Sequence, residues 1–352
     1  MDHLLRRVCR WKFAFYDLFL PALRTLGPAR CDAVLRRLGQ VIAVVWPGRR
    51  TRLRIALANV QRFLDLDGPI EDLWSDLAAN TARFLARDYT LDGCSDSSFF
   101  ARFDVVGYEY LERAIEGGSG VILVGSHLGA YIAGMHWLFR RGLPVRALVQ
   151  RPRHVSRVLS RSFDGAAGPH AQTELFLRRS LPRAEAIELL VRARTALRGG
   201  LALYLCGDIP WHGANSRPGR FLGQDRRFLA IWTDLAVLTR APVFHVFCVH
   251  LPGGRFRIEL EAVGRVHAGE ENDALADYLK GLEARIATEP AQAVAHLLWP
   301  CFNPSVLDRP AAHAGRRPGS TRPSRRTPAA ARYGRSATWA ARADFKAVPD
   351  RE

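Results

Sequence analysis

A histidine at a strand-to-helix junction is a candidate proton acceptor, and the stretch GSHLGAYIAG, Gly125 to Gly134, puts His127 in such a place. An imidazole with an ordinary pKa of about 6.5 can take the proton of an alcohol and make its oxygen a nucleophile towards a thioester. The apolar run GVILV precedes the histidine and MHWLFRRG follows it, so the ring would stand where helix-terminal N–H groups face developing negative charge. Gly125 and Gly129 would keep the backbone clear for a close approach. A packed, hydrogen-bonded core histidine is the plain alternative, and the neighbouring loops are what favour the chemical one.

Two such loops carry charge. QRPRH offers Arg151 and Arg153, whose forked donors suit phosphate, although arginines after a strand are often only a solvated surface. GDIPWHG puts Asp208 at the end of the apolar run LALYLC, where a carboxylate needs a partner. Asp208 could pair with an arginine, cap the next segment or orient His127.

The elements that must position these residues fall into two grammars. Residues 1–103 read as helical throughout, with periodic apolar positions in DAVLRRLGQVIAVV, LRIALANVQRFL and IEDLWSDLAANTARFLARDY. From FDVVG onward, over 104–304, β-branched runs alternate with amphipathic segments. Strands are expected at 120–125, 144–150, 201–208, PVFHVFCVHL and RFRIELEAV. Helices are expected to Arg141, across HVSRVLSRSF, AEAIELLVRARTALRGG, FLAIWTDLAVLTR and NDALADYLKGLEARIAT, and across PAQAVAHLLW. That alternation predicts an α/β fold with a largely parallel sheet flanked by helices. The last two strands, joined by Pro252-Gly253-Gly254, should form a hairpin, so the sheet is expected to be mixed. Ligand sites in such sheets lie outside the carboxyl ends of the strands, which groups SHLGAY, QRPRH and GDIPWHG together.

The 352 residues carry a net charge of +17, from 51 Lys and Arg against 34 Asp and Glu, and nearly all of the basic residues are arginine. This balance suits phosphate or anionic lipid. The segment 305–352 holds about +7 of it, is rich in Pro, Ser, Ala and Arg, and has no sustained apolar period, so it is expected to be a disordered basic tail. No helix-turn-helix, zinc or RNA-recognition signature accompanies the charge, and nucleic acid is not an expected partner. Phosphate-loop and dinucleotide fingerprints are absent, as is a GxSxG elbow. The six cysteines are scattered without a CxxC pair, which reads as reduced thiols with neither a disulfide framework nor a zinc site. No apolar run reaches the roughly 20 residues that cross a bilayer. The basic, aromatic segments around WKFAFYDLFLPAL and VIAVVWP instead fit a helical region lying in the membrane interface, or a buried helix with a basic solvent face.

Five blocks in order carry a resemblance: GVILVGSHLGAY; LPVRALVQRPRH; ALRGGLALYLCGDIPW; RFLGQDRRF with LAVLTRAPVFHVFCVHLPGGRFRIELE; and LEARIATEPAQ. Together, over roughly residues 10–300, they resemble the bacterial lipid A biosynthesis lauroyl/myristoyl acyltransferases and their phosphatidylinositol mannoside acyltransferase relatives. The resemblance implies a glycerolipid-acyltransferase-like fold at the cytoplasmic face of the bacterial inner membrane. It implies transfer of an acyl chain from acyl carrier protein or coenzyme A to a hydroxyl of a glycolipid, with no metal or organic cofactor. His127 matches the family's catalytic histidine, Arg151 its basic residue after the next strand, Asp208 the acid of its Asp-Gln-like motif and Gly223 the glycine of its Phe-Phe-Gly-like turn. The family's histidine is followed by an orienting acid, and here that position is Ile132. Three readings follow: Asp208, or else Glu174 or Glu185, substitutes for the acid; His127 acts alone; or the chain is a catalytically degenerate lipid-binding or partner protein.

Overall fold

In a computed structural model of the protein, residues 11–45, 63, 70–149, 154–163, 175–176, 183–211 and 215–298 are described. The strands are β1 (Phe103–Val106), β2 (Val121–Gly125), β3 (Val145–Val149), β4 (Leu175–Phe176), β5 (Ala202–Cys206), β6 (Ser216–Phe221), β7 (Gln224–Leu229), β8 (Val243–Leu251) and β9 (Arg255–Gly264). Seven of them form one sheet in the order β1-β9-β8-β2-β5-β3-β4, and β6 and β7 form a separate hairpin. Among the described residues of the large sheet only β8 and β9 pair antiparallel, around the expected Pro252–Gly254 turn. The other pairings are parallel. The fold is therefore α/β, with a mixed, mostly parallel sheet flanked by helices and preceded by a helical region.

The helices that bear on the site are α1 (Pro28–Val45), α2 (Ile70–Ala86), α3 (Tyr108–Glu116), α4 (Tyr131–Arg140), α5 (Arg157–Phe163), α6 (Arg183–Arg198), α7 (Ile231–Thr239), α8 (Glu271–Thr288) and α9 (Val294–Leu298). β2 and β5 are buried at every residue, as continuous apolar runs must be when helices cover both faces of a sheet. Their side chains alternate between two cores. Ile122, Val124, Leu203 and Leu205 enter one apolar cluster, while Val121, Leu123, Ala202 and Tyr204 enter the other.

The β6–β7 hairpin departs from the sequence reading, in which a helix begins at Phe228. Phe228 and Leu229 instead finish β7, and α7 starts at Ile231. Arginines on the solvent side mask the period-2 pattern, in which Phe221 and Phe228 are buried. The two-residue loop Leu222-Gly223 has φ of 49° and 73°, the left-handed pair that lets a tight hairpin follow the strand twist. The short β4 is a further strand that the sequence pattern does not announce.

The N-terminal helices are held to the sheet by a buried ion pair. Arg83 on α2 donates to both oxygens of Asp32 on α1, at 2.6 and 2.7 Å, and to the Leu251 carbonyl at 3.0 Å. Asp32 also accepts the Gly253 N–H of the β8–β9 turn. Leu77 and Phe84 of α2 join the same apolar cluster as β2 and β5. The expected helical segments at 1–10 and 46–62 and the expected tail at 305–352 lie outside the described residues.

Helices α1 and α2 meet at Gly39, where a Cβ would stand 2.1 Å from the Ala78 carbonyl oxygen. Gly39→Ala should therefore force the helices apart and lower the unfolding free energy by about 1–3 kcal/mol in urea titrations. A second expectation concerns acid. Burial, and then the Arg285 charge, push the pKa of His245 down to about 4. Burial, and then Arg83 and Arg102, push that of His250 well below its usual range. Both histidines are thus neutral in the fold but protonate at about 6.5 when unfolded. Stability should be complete above that pH and fall as pH drops towards 4. His245→Phe should flatten the fall in a series of urea midpoints.

Candidate active site

Parallel register brings the principal residues together. Gly125, the last residue of β2, pairs with Cys206, the last residue of β5. Two residues beyond each lie His127 and Asp208, side by side at the carboxyl edge of the sheet. The approach is tight: a Cβ at Gly125 would meet the Tyr204 hydroxyl at 2.2 Å, and one at Gly207 would meet the Tyr278 ring at 2.7 Å. The Tyr278 hydroxyl donates to the Gly125 carbonyl at 2.7 Å, tying α8 to the end of β2.

Asp208 engages His127 twice. Its Oδ2 accepts the His127 backbone N–H at 2.6 Å, and its Oδ1 lies 2.8 Å from Nδ1. The carboxylate is 0% exposed and the imidazole 17% exposed. Burial would raise the pKa of Asp208, but the charge and hydrogen bonds of His127 and His296 outweigh it and hold the carboxyl well below the usual range. An ionised carboxylate only accepts, so Nδ1 of His127 carries a proton and the basic lone pair of the neutral ring is on Nε2. This is the arrangement by which an acid fixes the tautomer of a general base.

Ile132, at the position of the missing acid, is 2% exposed on α4 and belongs to the apolar cluster that contains Leu123 and Phe244. The carboxylate that meets His127 comes instead from Asp208, just past the end of β5. Glu174 lies outside the described residues, as do Arg151 and Arg153. Of Glu185 only the backbone is described.

Gly129, with φ of 57°, is pressed against β8 and the Gln292 side chain. A Cβ there would sit 2.7 Å from the Cys248 carbonyl oxygen and 2.8 Å from Gln292 Oε1. Its lack of a side chain serves packing of the loop that follows His127. Gly223 lies in the hairpin turn, where a Cβ would meet the Phe63 ring at 2.3 Å. The hairpin's Phe221 packs its ring edge-on against His296, 5.8 Å between centroids.

Four contributors, Tyr131, Phe84, Arg87 and His296, escape sequence reasoning. The His127 ring packs against Tyr131 at 4.8 Å, Tyr131 packs against Phe84 of α2, and the Arg87 guanidinium lies 3.5 Å from the Tyr131 hydroxyl. The helical region thus reaches the site through Phe84 and Arg87. His296 on α9 lies 2.8 Å from Asp208 Oδ2. An aromatic four residues after the histidine is a signal the sequence does contain; no local pattern marks His296.

His127, Cys206 and Asp208 also bring three potential metal-ligating atoms within 4.8 Å of one another. The donor chemistry fits proton transfer better. Burial, and then Asp208, push the Cys206 thiol well above its ordinary pKa, and both Asp208 oxygens already accept N–H groups.

With this geometry in place, the comparison with protein families is decisive. Residues 2–295 match the family model described as bacterial lipid A biosynthesis acyltransferase. The chain belongs to that family. No curated protein matches it significantly. Acyl transfer in lipid A biosynthesis is accordingly its class of chemistry, with an acyl donor and a lipid acceptor as the general substrates. Among the described residues, no helix of this acyltransferase-family chain is long and apolar enough to cross a membrane.

Restoring an acid at 132 should harm the fold rather than complete the site. Ile132→Glu would place a carboxyl in an apolar cluster, lowering stability by about 2–5 kcal/mol at pH 8. The buried acid's pKa would be raised, so the loss should be smaller at pH 5, where the neutral form is retained. Urea titrations at the two pH values check this.

Proposed function

We propose that the protein is an active acyltransferase that moves a fatty acyl chain from an acyl carrier protein or coenzyme A thioester to a hydroxyl of a lipid A-like glycolipid. The observation that carries this reading is the double engagement of His127 by Asp208, which supplies from the end of β5 the orientation that Ile132 cannot.

In the proposed reaction the acceptor hydroxyl donates its hydrogen bond to His127 Nε2. As its oxygen attacks the thioester carbonyl, the proton passes to Nε2 and the imidazolium is stabilised by Asp208. The tetrahedral intermediate collapses, the C–S bond breaks, and the imidazolium protonates the departing thiolate. The products are an ester and a thiol. The thioester already supplies the activated acyl group, so the proposal needs no metal or organic cofactor.

Delivery to lipid is proposed to use the helical region. Val34, Val41 and Val44 are exposed on α1 near the exposed Arg37, and Phe13, Leu18 and Leu26 are exposed just before it. Apolar side chains interleaved with arginine fit the interface of an anionic bilayer. This supports a peripheral or monotopic position on the cytoplasmic face of the inner membrane. Arg151 and Arg153 are proposed to meet substrate phosphate, and the turn at Gly223 to border the substrate. Gly129 would contribute indirectly, by shaping the loop of His127. Residues 1–103, 104–304 and 305–352 are proposed as interfacial region, catalytic domain and basic tail.

The test is thiol release by purified full-length protein given acyl carrier protein and coenzyme A thioesters with a glycolipid extract. Wild type should turn over, and His127→Ala and Asp208→Asn should each lower kcat by about 10²–10⁴-fold. Turnover unchanged in His127→Ala would overturn the assignment of the base. Wild type inert with both donors, yet binding the glycolipid, would favour the degenerate reading that Ile132 motivates.

A further inference from the structure

Asp208 has a third nitrogen on it, and that nitrogen comes from the far end of the fold. His296 stands on α9, one residue beyond the end of the family match. Its Nε2 is 2.8 Å from Asp208 Oδ2, with the His296 side chain 2% and the Asp208 side chain 0% exposed. The segment that carries it is fixed to the site from two directions. Gln292 exchanges hydrogen bonds with the backbone of His250, both at 2.8 Å, and its carbonyl accepts the Gly129 N–H at 3.0 Å. Phe221 backs the His296 ring from the β6–β7 hairpin.

From this geometry we infer that His296 is a positioning residue for the general base, anchoring Asp208 in a buried His127–Asp208–His296 chain. The inference rests on the acyltransferase reading for its catalytic consequence, but the anchoring itself does not need turnover. A carboxylate accepts only, so Nε2 of His296 carries a proton and donates it to Oδ2, which also receives the His127 backbone N–H. With Oδ2 held from two sides, Oδ1 stays on His127 Nδ1. The donor also takes the place of solvent around a fully buried carboxylate, and shares its negative charge. Anchoring matters more here than in a site with a second acid, because Ile132 leaves Asp208 as the acid that holds the ring among the described residues.

The titratable groups around this chain are few. Tyr204 and Cys206 on β5 and Tyr278 on α8 are all pushed well above their ordinary range, by burial first, and stay neutral at working pH. Tyr131 on α4 and Arg87 beyond α2 face the other side of His127.

The experiment compares His296→Phe, which keeps a ring and loses the donor, with His296→Gln, whose terminal amide nitrogen is as far along the side chain as Nε2. Two readouts are taken on the full chain: thiol release, and titration of the His127 ring by NMR. Loss of the donor leaves the Asp208 charge undivided and the carboxylate less firmly held. In His296→Phe, kcat should fall about 10–100-fold with little change in KM, and the His127 midpoint should move up by about half a unit to one unit. His296→Gln should recover most of both. Should His296→Phe not fold, His296→Asn, whose amide is one carbon short, takes its place against His296→Gln.

Equal kcat and equal His127 midpoints in wild type and His296→Phe, or in the His296→Asn that takes its place, would overturn the inference while leaving the acyltransferase reading intact. So would a His296→Gln variant no better than His296→Phe. If wild type releases no thiol but the His127 midpoint rises in His296→Phe and returns in His296→Gln, the anchoring stands and the catalytic reading fails.

Discussion

Pairing of β2 with β5 is the constraint on which the rest of the site depends. Two parallel strands that end in register, Gly125 beside Cys206, deliver the next residues of both segments to the same place. Because the backbone of one loop is within reach of the side chain of the other, Asp208 can bind both the amide and the ring of His127. Small residues are required where the strands end, since a side chain at Gly125 or Gly207 would collide with Tyr204 or Tyr278. Everything further out serves to hold this junction: Tyr278 on the Gly125 carbonyl, Gln292 on Gly129 and on β8, and Tyr131 against the imidazole.

Charge is handled differently in the two halves of the molecule. At the helical region a buried arginine and carboxylate, Arg83 and Asp32, pair two-pronged and take up carbonyl and amide groups of the β8–β9 turn. Such a pair contributes little net stability over an apolar contact, but leaving either partner alone would be strongly destabilising, which fixes how α1 and α2 seat on the sheet. At the carboxyl edge of the sheet a buried carboxylate, Asp208, is instead surrounded by nitrogens: the backbone N–H and ring of His127 and the ring of His296.

The helical region belongs to the site as well as to the fold. Phe84 and Arg87 meet Tyr131, which meets His127. Under the proposed function, a bilayer contact through the exposed apolar residues of α1 would lie on the same body as the chemistry, with α1 and α2 held to the β8–β9 turn by Arg83 and Asp32. On that proposal, interfacial docking and acyl transfer would be linked by packing rather than by a flexible tether.

Much of this is legible in the order of the amino acids. The change from 3.6-residue periodicity to alternating β-branched runs marks the α/β boundary, Pro252-Gly253-Gly254 marks the antiparallel pairing in the large sheet, and His127 and Asp208 stand at the ends of apolar runs. The ordered blocks point to the family that the match over residues 2–295 shows. The sequence leaves open whether Asp208 pairs with an arginine, caps a helix or faces His127, because that partner lies 81 residues away and register between strands is not written in local pattern. The β6–β7 hairpin is hidden because its arginines break the visible alternation, and Ile132 reads as a missing acid where packing shows it to be core. His296, 88 residues from Asp208, acquires meaning only when α9 is laid beside the end of β5. Residue types and local periods set the elements and the candidates; the pairing of distant strands and helices, driven by burial of both sheet faces, chose which candidates touch.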